Sequence, residues 1–292
     1  MTTMFREVRV SSLLIGLVGL ACCSVGLVTA TAQSPQPVAT LQAPAADRVT
    51  VPLSDPSRVA LIDVSLVSGS ITVRGANRKD VMVVAHPEGD RPSRRYDAEA
   101  NGLRRIPQTA GFRISEEANR VRITADSPNR GLSFEIEAPQ HTNLKLSTVN
   151  GGEILVENID GDLDVSNTNG GITLNGVAGA VNAGTTNGSV RATMTRVTAQ
   201  KEMAFTSLNG TVDVTLPPAT KANLRLRSDN GDVYSDFDVQ LAPSAPAVEE
   251  NASGNGRYRI RRNRSIVGAI NGGGPEFELR TLNNNVYVRK GK

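Results

Sequence analysis

The dipeptide Asn-Gly returns at Asn150-Gly151, Asn169-Gly170, Asn187-Gly188, Asn209-Gly210 and Asn230-Gly231, at intervals of 19, 18, 22 and 21 residues. This near-constant period restricts the fold more than any other feature of the chain. Each copy is followed by an apolar-x-apolar step, as in Ile154-Leu155-Val156, Ile172-Thr173-Leu174, Val190-Arg191-Ala192, Val212-Asp213-Val214 and, more weakly, Val233-Tyr234-Ser235. A small hydroxyl residue precedes each copy by two or three positions: Ser147, Ser166, Thr185, Ser207 and Ser228. Degenerate copies flank the set at Ser68-Gly69-Ser70-Ile71 and Asn283-Asn284-Asn285-Val286. A period near 20 with two short strands and two glycine turns implies the rungs of a β-solenoid or a closely related stacked sheet. Asn and Gly suit a corner that needs left-handed backbone angles, so Gly170 and Gly188 are expected in that conformation, with Asn271-Gly272 as a further turn of the same kind. In a hairpin the same dipeptide makes a type I′ turn, which keeps a β-sandwich or meander open as the alternative.

From Val59 onward apolar residues alternate with polar ones, and no stretch carries a helical stripe for more than a turn or two, so the fold class is all-β. Aromatics make up 3% of the chain and Trp is absent. Small aliphatics therefore fill the core, as a narrow layered interior requires. The repeat domain is expected over 57–290, after a Pro/Ala/Gln-rich flexible linker at 33–56, with inserted loops near 86–108 and 240–256.

The first 32 residues have the pattern of a secretory signal: Arg6 and Arg9, an apolar run from Leu13 to Val28, and Ala30-Thr31-Ala32 as a cleavage site. Cleavage would start the mature chain at Gln33 and place it outside the cytoplasm, in the periplasm, on the outer surface or secreted. An uncleaved anchor and a lipidated Cys23 are the alternatives. Cys22 and Cys23 both lie in this segment, so the mature domain would hold itself together without disulfides. It would carry 30 basic and 28 acidic residues, too even a balance to steer a polyanion to the molecule as a whole.

The run from Leu144 to Gly152 (Leu-Lys-Leu-Ser-Thr-Val-Asn-Gly-Gly), its copy at Ser166-Asn167-Thr168-Asn169-Gly170-Gly171-Ile172, and the closing Ile270-Asn271-Gly272-Gly273-Gly274-Pro275 with Thr281-Leu282-Asn283 resemble the bacterial putative adhesin family. The resemblance covers about Val59 to Arg289, departing at Asn284 where the pattern has Gly. It implies an exported β-strand-repeat domain and carries over no catalytic residue.

Candidate chemistry in the chain is sparse. Nucleophilic catalysis needs a base beside the nucleophile, and the mature chain offers only His86 and His141, each at a solvated position. Asp160-Gly161-Asp162-Leu163-Asp164 superficially resembles a calcium loop, but Val165 and Gly171 occupy the positions of the required Gly and Glu. Asp229, Asp232, Asp236 and Asp238 form a similar acidic ribbon. Lys145, Arg191 and Asp162 would have to share one face to serve a polysaccharide-cleaving solenoid. Gly272-Gly273-Gly274 precedes Pro275 and a strand, not the helix of a phosphate cradle. Arg257, Arg259 and Arg261 alternate along one strand face, either as a polyanion-binding site or as the charged guard of an exposed edge. The expectation is a non-enzymatic extracytoplasmic module, adhesin-like, with a polysaccharide-active solenoid lyase or hydrolase as the alternative. No cofactor and no metal are expected. The expected partners are envelope polymers, glycans or surface proteins, with no nucleic acid and no membrane span in the mature chain.

Overall fold

Alternation along each strand separates a buried from a solvated face. In Ile154–Glu157, Leu163–Asn169 and Ile172–Gly179, the side chains of Ile154, Val156, Leu163, Val165, Ile172 and Leu174 are buried, and those between them face outward. Such strands bury one side only, so they need a second sheet against it. The computed structural model describes residues 47–87, 111–126, 131–150, 152–198, 200–242, 248–250, 259–261 and 265–292, all within the unit Pro44–Lys292. They build an 11-stranded and a 10-stranded sheet, with a separate two-stranded ribbon.

Each rung contributes one strand to the 11-stranded sheet and the next strand to the 10-stranded sheet. Along the stack the rungs run Arg120–Ala125 with Leu132–Pro139, then Ala60–Ser65 with Ile71–Ala76, then Thr142–Asn150 with Ile154–Glu157. Leu163–Asn169 with Ile172–Gly179, Val181–Thr185 with Val190–Val197, and Met203–Ser207 with Val212–Leu216 follow. Glu276–Thr281 with Val286–Lys290 comes next, and Ala222–Ser228 with Val233–Ser235 ends the stack. Neighbouring rungs pair in parallel, as a solenoid requires and a meander does not.

Stacking in register turns the core into side-chain columns. Ile71, Ile154, Ile172, Val190, Val212 and Val286 follow one another in the 10-stranded sheet. Each fully buried aliphatic of this kind contributes roughly 1.5–3 kcal/mol. Phe205 fits between layers because its register neighbour on one side is Ala183.

Two expectations about boundaries change. Asp47–Pro52, inside the stretch read as linker, is a strand paired antiparallel with Asp80–Pro87. Gln240–Leu241 and Val248–Glu250 are strands inside the stretch read as the second inserted loop; of the first, His86 and Pro87 still belong to Asp80–Pro87 and 88–108 lies outside the described residues. The signal segment also lies outside them.

The corner of the stack corrects the conformational reading of Gly170 and Gly188. Left-handed angles occur at Asn271 and Gly272 (φ 50° and 90°), as expected there, but not at Gly170, Gly188, Gly210 or Gly231. Those glycines are needed for proximity. A Cβ at Gly170 would lie well under 3.0 Å from the Gly152 carbonyl oxygen, and the same holds for Gly188 against Gly170, Gly210 against Gly188 and Gly231 against Asn284. The carbonyls of this corner column are also hydrogen-bond acceptors for the next rung. Asn167 Nδ2 donates to Gly152 at 2.8 Å, Thr185 Oγ1 to Gly170 at 2.8 Å, Ser207 Oγ to Gly188 at 2.8 Å and Thr281 Oγ1 to Gly210 at 2.7 Å. Outside this column the asparagines of the repeat bond to one another. Asn169 donates to Asn150 (3.3 Å), Asn187 to Asn169 (2.8 Å), Asn209 to Asn187 (2.7 Å), Asn283 to Asn209 (2.7 Å) and Asn230 to Asn283 (2.7 Å). Gly151 lies outside the described residues.

Adjacent glycines separate proximity from composition. Gly170→Ala should lower stability by about 1–3 kcal/mol, because the new methyl meets backbone that must move. Gly171→Ala, whose Cβ would sit 3.5 Å from the Ser189 carbonyl oxygen, should stay within about 0.5 kcal/mol of the parent. Urea unfolding of both variants measures the difference. Asn284 occupies the corner position that is glycine elsewhere and takes φ 152°, a value that strains any residue with a Cβ. Asn284→Gly should therefore raise the unfolding midpoint, by about 1 kcal/mol in stability.

Candidate interaction surface

Parallel register carries the outward residues of one rung onto those of the next, about 4.8 Å away. On the 11-stranded sheet this sets Arg122, Asp63, Lys145 and Asp164 side by side, alternating in sign. Arg122 Nε lies 3.6 Å from Asp63 Oδ2, and farther along Arg225 Nε meets Glu276 Oε1 at 2.7 Å. The 10-stranded sheet repeats the device with Arg74 and Glu157 (2.9 Å) and Arg289 and Asp213 (2.8 Å). Exposed pairs of this kind contribute at most about 1 kcal/mol each. Their consequence is a pair of broad polar faces on which charge is cancelled locally.

The candidate chemical groups do not converge. Lys145 and Asp162 border one shallow hollow on the outer face of the 11-stranded sheet, whereas Arg191 stands on the outer face of the 10-stranded sheet. Asp160 is held by Arg196 Nη2 at 2.6 Å and by His141 Nδ1 at 3.2 Å, and Asp162 by Lys201 Nζ at 2.7 Å. Arg196 and Lys201 thus occupy carboxylate oxygens that a calcium ion would need. Among the described residues no group of three His, Cys, Asp or Glu side chains is placed to hold a metal. His86 stands on another strand, Nε2 3.7 Å from Glu135 Oε1.

Arg259–Arg261 forms a strand of the two-stranded ribbon, antiparallel to Val248–Glu250, with Glu250 opposite Arg259 and Val248 opposite Arg261. Arg257 lies outside the described residues. Of the acidic ribbon, Asp229 pairs with Arg227 (2.8 Å), and Asp236 accepts the Lys290 amide (3.3 Å). Gly272 and Gly273 form a left-handed turn ahead of Glu276–Thr281, as their sequence implies.

One surface feature escaped the sequence reading. Tyr234 and Tyr287 stack across the last two rungs, ring centroids 5.1 Å apart and planes 12° from parallel. The Arg289 guanidinium lies over the Tyr287 ring at 5.0 Å, and Asn285 Nδ2 donates to the Tyr287 hydroxyl at 3.0 Å. Tyr234, on the terminal strand Val233–Ser235, is 48% exposed, and its hydroxyl donates to Asp232 Oδ2 at 3.4 Å. The Asp232 carboxylate, together with burial, holds this phenol above its ordinary value. The signal was legible as a coincidence of phase: both tyrosines fall four positions after the ladder asparagine, Asn230 and Asn283.

Residues 47–264 match the family described as Toastrack DUF4097. The chain belongs to that family. The match ends before Glu276–Lys290, yet in this Toastrack domain that rung is inserted between two matched rungs and completes both sheets. Among solved structures the domain is similar to a putative cell adhesion protein from Clostridium sporogenes, at 10% identity and a TM-score of 0.39, over 85% of this chain and 100% of that one. It is similar also to a putative adhesin from Bacteroides fragilis, at 11% identity and a TM-score of 0.40, over 85% of this chain and 97% of that one. No curated protein matches the chain significantly. Among the described residues no helix is long and apolar enough to cross a membrane.

The environment of Tyr234 predicts a titration. Because a phenolate beside Asp232 is disfavoured, Asp232→Asn should move the ionisation of one tyrosine to lower pH in an alkaline absorbance titration, leaving the others in place.

Proposed function

We propose that the protein is an extracytoplasmic adhesin-like module that holds a repetitive polar surface against cell-envelope polymers, glycans or surface proteins without carrying out a reaction. The observation that carries this reading is the register of the outer faces. Rung after rung presents polar side chains at a fixed spacing on two broad sheets, while the groups a polysaccharide-cleaving enzyme would gather stand on opposite faces. A regular array suits a repeating polymer, since each rung repeats a weak contact and the contacts act together. Export would follow from the amino-terminal signal pattern and would place the array where such polymers are found.

The arginine strand supplies a contact for anionic polymers in this reading, because Arg257, Arg259 and Arg261 recur at every second residue, the spacing that sets side chains on one face of a strand. Retention of the purified protein on isolated envelope fractions is the direct test, with depolymerisation followed in the same samples. Changing Arg257, Arg259 and Arg261 to Ser should weaken retention on anionic polymers at low salt, and the difference should shrink as salt rises, exposed charges being screened within about 8 Å at physiological ionic strength. Unchanged retention with increased light scattering would assign the arginines to edge protection instead. Release of soluble fragments from the polymer would overturn the non-enzymatic reading.

A further inference from the structure

The corner ladders run in one direction, and this gives the two ends of the stack different chemistry. In each of these side-chain corner bonds the donor belongs to the rung nearer Val233–Ser235 and the acceptor to the rung before it. At the last rung the series stops with acceptors unused. Asn230 spends its Nδ2 on Asn283, and neither its Oδ1 nor the Gly231 carbonyl oxygen accepts a hydrogen bond from another described residue. Three carboxylates, Asp232, Asp236 and Asp238, are exposed close by in sequence.

The aromatic stack stops at the same place. Tyr287 has Tyr234 against its ring, but among the described residues no rung lies beyond Tyr234, whose strand is the edge of the 10-stranded sheet. Phe112, Phe134, Phe205, Phe237 and Phe277 are buried or half-buried, so the exposed aromatic surface among the described residues is gathered at this end. The 11-stranded sheet is closed at this end by Ile266–Ile270 and Gln240–Leu241; no described strand does the same for the 10-stranded sheet.

We infer that this end is a saccharide-binding subsite, in which a neutral pyranose ring stacks on Tyr234 while its hydroxyls donate to Asn230 Oδ1, the Gly231 carbonyl and the Asp232 carboxylate. A pyranose has the two properties the end demands. Its axial C–H face is apolar and flat enough to continue an aromatic stack, and its rim is rich in hydroxyl donors. An anionic sugar is disfavoured by the three carboxylates. A second copy meeting the end symmetrically would set acceptor against acceptor and carboxylate against carboxylate. The subsite deepens the envelope-surface reading by naming one ligand class, a neutral one, unlike the anionic polymer that the arginine strand would meet.

With no Trp in the chain, tyrosine emission is directly readable. The purified protein would be titrated with a panel of neutral hexose and N-acetylhexosamine oligosaccharides, followed by tyrosine fluorescence and calorimetry. At least one member should bind, with an affinity nearly independent of salt. Tyr234→Ala should weaken that binding by about tenfold or more, the worth of one stacked ring, and Tyr234→Phe should keep it. Asp232→Asn, an exposed change that leaves the ring stack in place, should weaken it severalfold. Equal binding by the Tyr234→Ala and Asp232→Asn variants, binding that falls with salt, or a preference for acidic oligosaccharides would overturn the subsite. If the parent protein is retained on envelope fractions but binds no member of the panel, the subsite alone fails; if it does neither, the envelope reading fails with it.

Discussion

Because Gly152, Gly170, Gly188 and Gly210 let successive corners close onto one another's backbone, the strands on either side arrive already at ladder distance. The rest of the stack depends on that approach. It brings the hydroxyl of one rung within reach of the carbonyl of the last, sets the asparagines close enough to bond, and fixes the phase in which apolar columns meet. A slip of one residue would turn every buried side chain outward, so a corner that permits only one register protects the whole core. Amide ladders of this kind polarise along their length, as they do in stacked cross-β assemblies. Here the same device is confined to one chain.

A repeat stack has a weakness at each end, where the last rung is held from one side only. This chain meets it by order of insertion. The rung Ala60–Ser65 with Ile71–Ala76 comes first in sequence, yet it lies inside the rung that contains Arg120–Ala125; the carboxyl-terminal rung, Glu276–Lys290, lies inside the one that contains Ala222–Ser228. Neither end of the described repeat is an outermost rung, so neither can peel away without breaking ladders on both sides. Antiparallel strands then cover much of what remains open: Asp47–Pro52, Asp80–Pro87 and Phe112–Glu117 at one end, Ile266–Ile270 at the other.

Period and alternation made the stacked rungs legible, because both are local properties of the chain. The corner was legible in composition and misread in cause: Asn-Gly marks left-handed angles at Asn271-Gly272, but at Gly170 and Gly188 it marks a close approach that only a neighbouring rung creates. The hydroxyl column shows the same limit. Thr185, Ser207 and Ser228 belong to it, whereas Ser147 and Ser166 face outward and Thr148 and Asn167 take the inward place. Parity along the strand decides this, and residue type alone does not reveal it. Rung insertion was hidden because nothing local in Val286–Lys290 says that it pairs with Val212–Leu216 on one side and Val233–Ser235 on the other. The tyrosines share a phase that the sequence shows, but that they are neighbours follows only from that insertion.

The insertion of the carboxyl-terminal rung ties fold to surface. Were Glu276–Lys290 added outside Ala222–Ser235 in simple chain order, Tyr287 and its cover of Arg289 would form the end of the stack, and Asn230 would find a donor in the rung beyond it. Placed inside, that rung takes the donated bond from Asn230 and gives its own from Asn283 to Asn209, so the unspent acceptor moves to Asn230 and the uncovered ring to Tyr234. On the broad faces several charges have a counter-charge one rung away, as Asp63 has Arg122 and Lys145 and Glu157 has Arg74, which leaves those stretches with little for a partner to recognise except spacing. The regularity is broken at the last rung, where among the described residues no further rung supplies a donor to Asn230 or a ring to Tyr234.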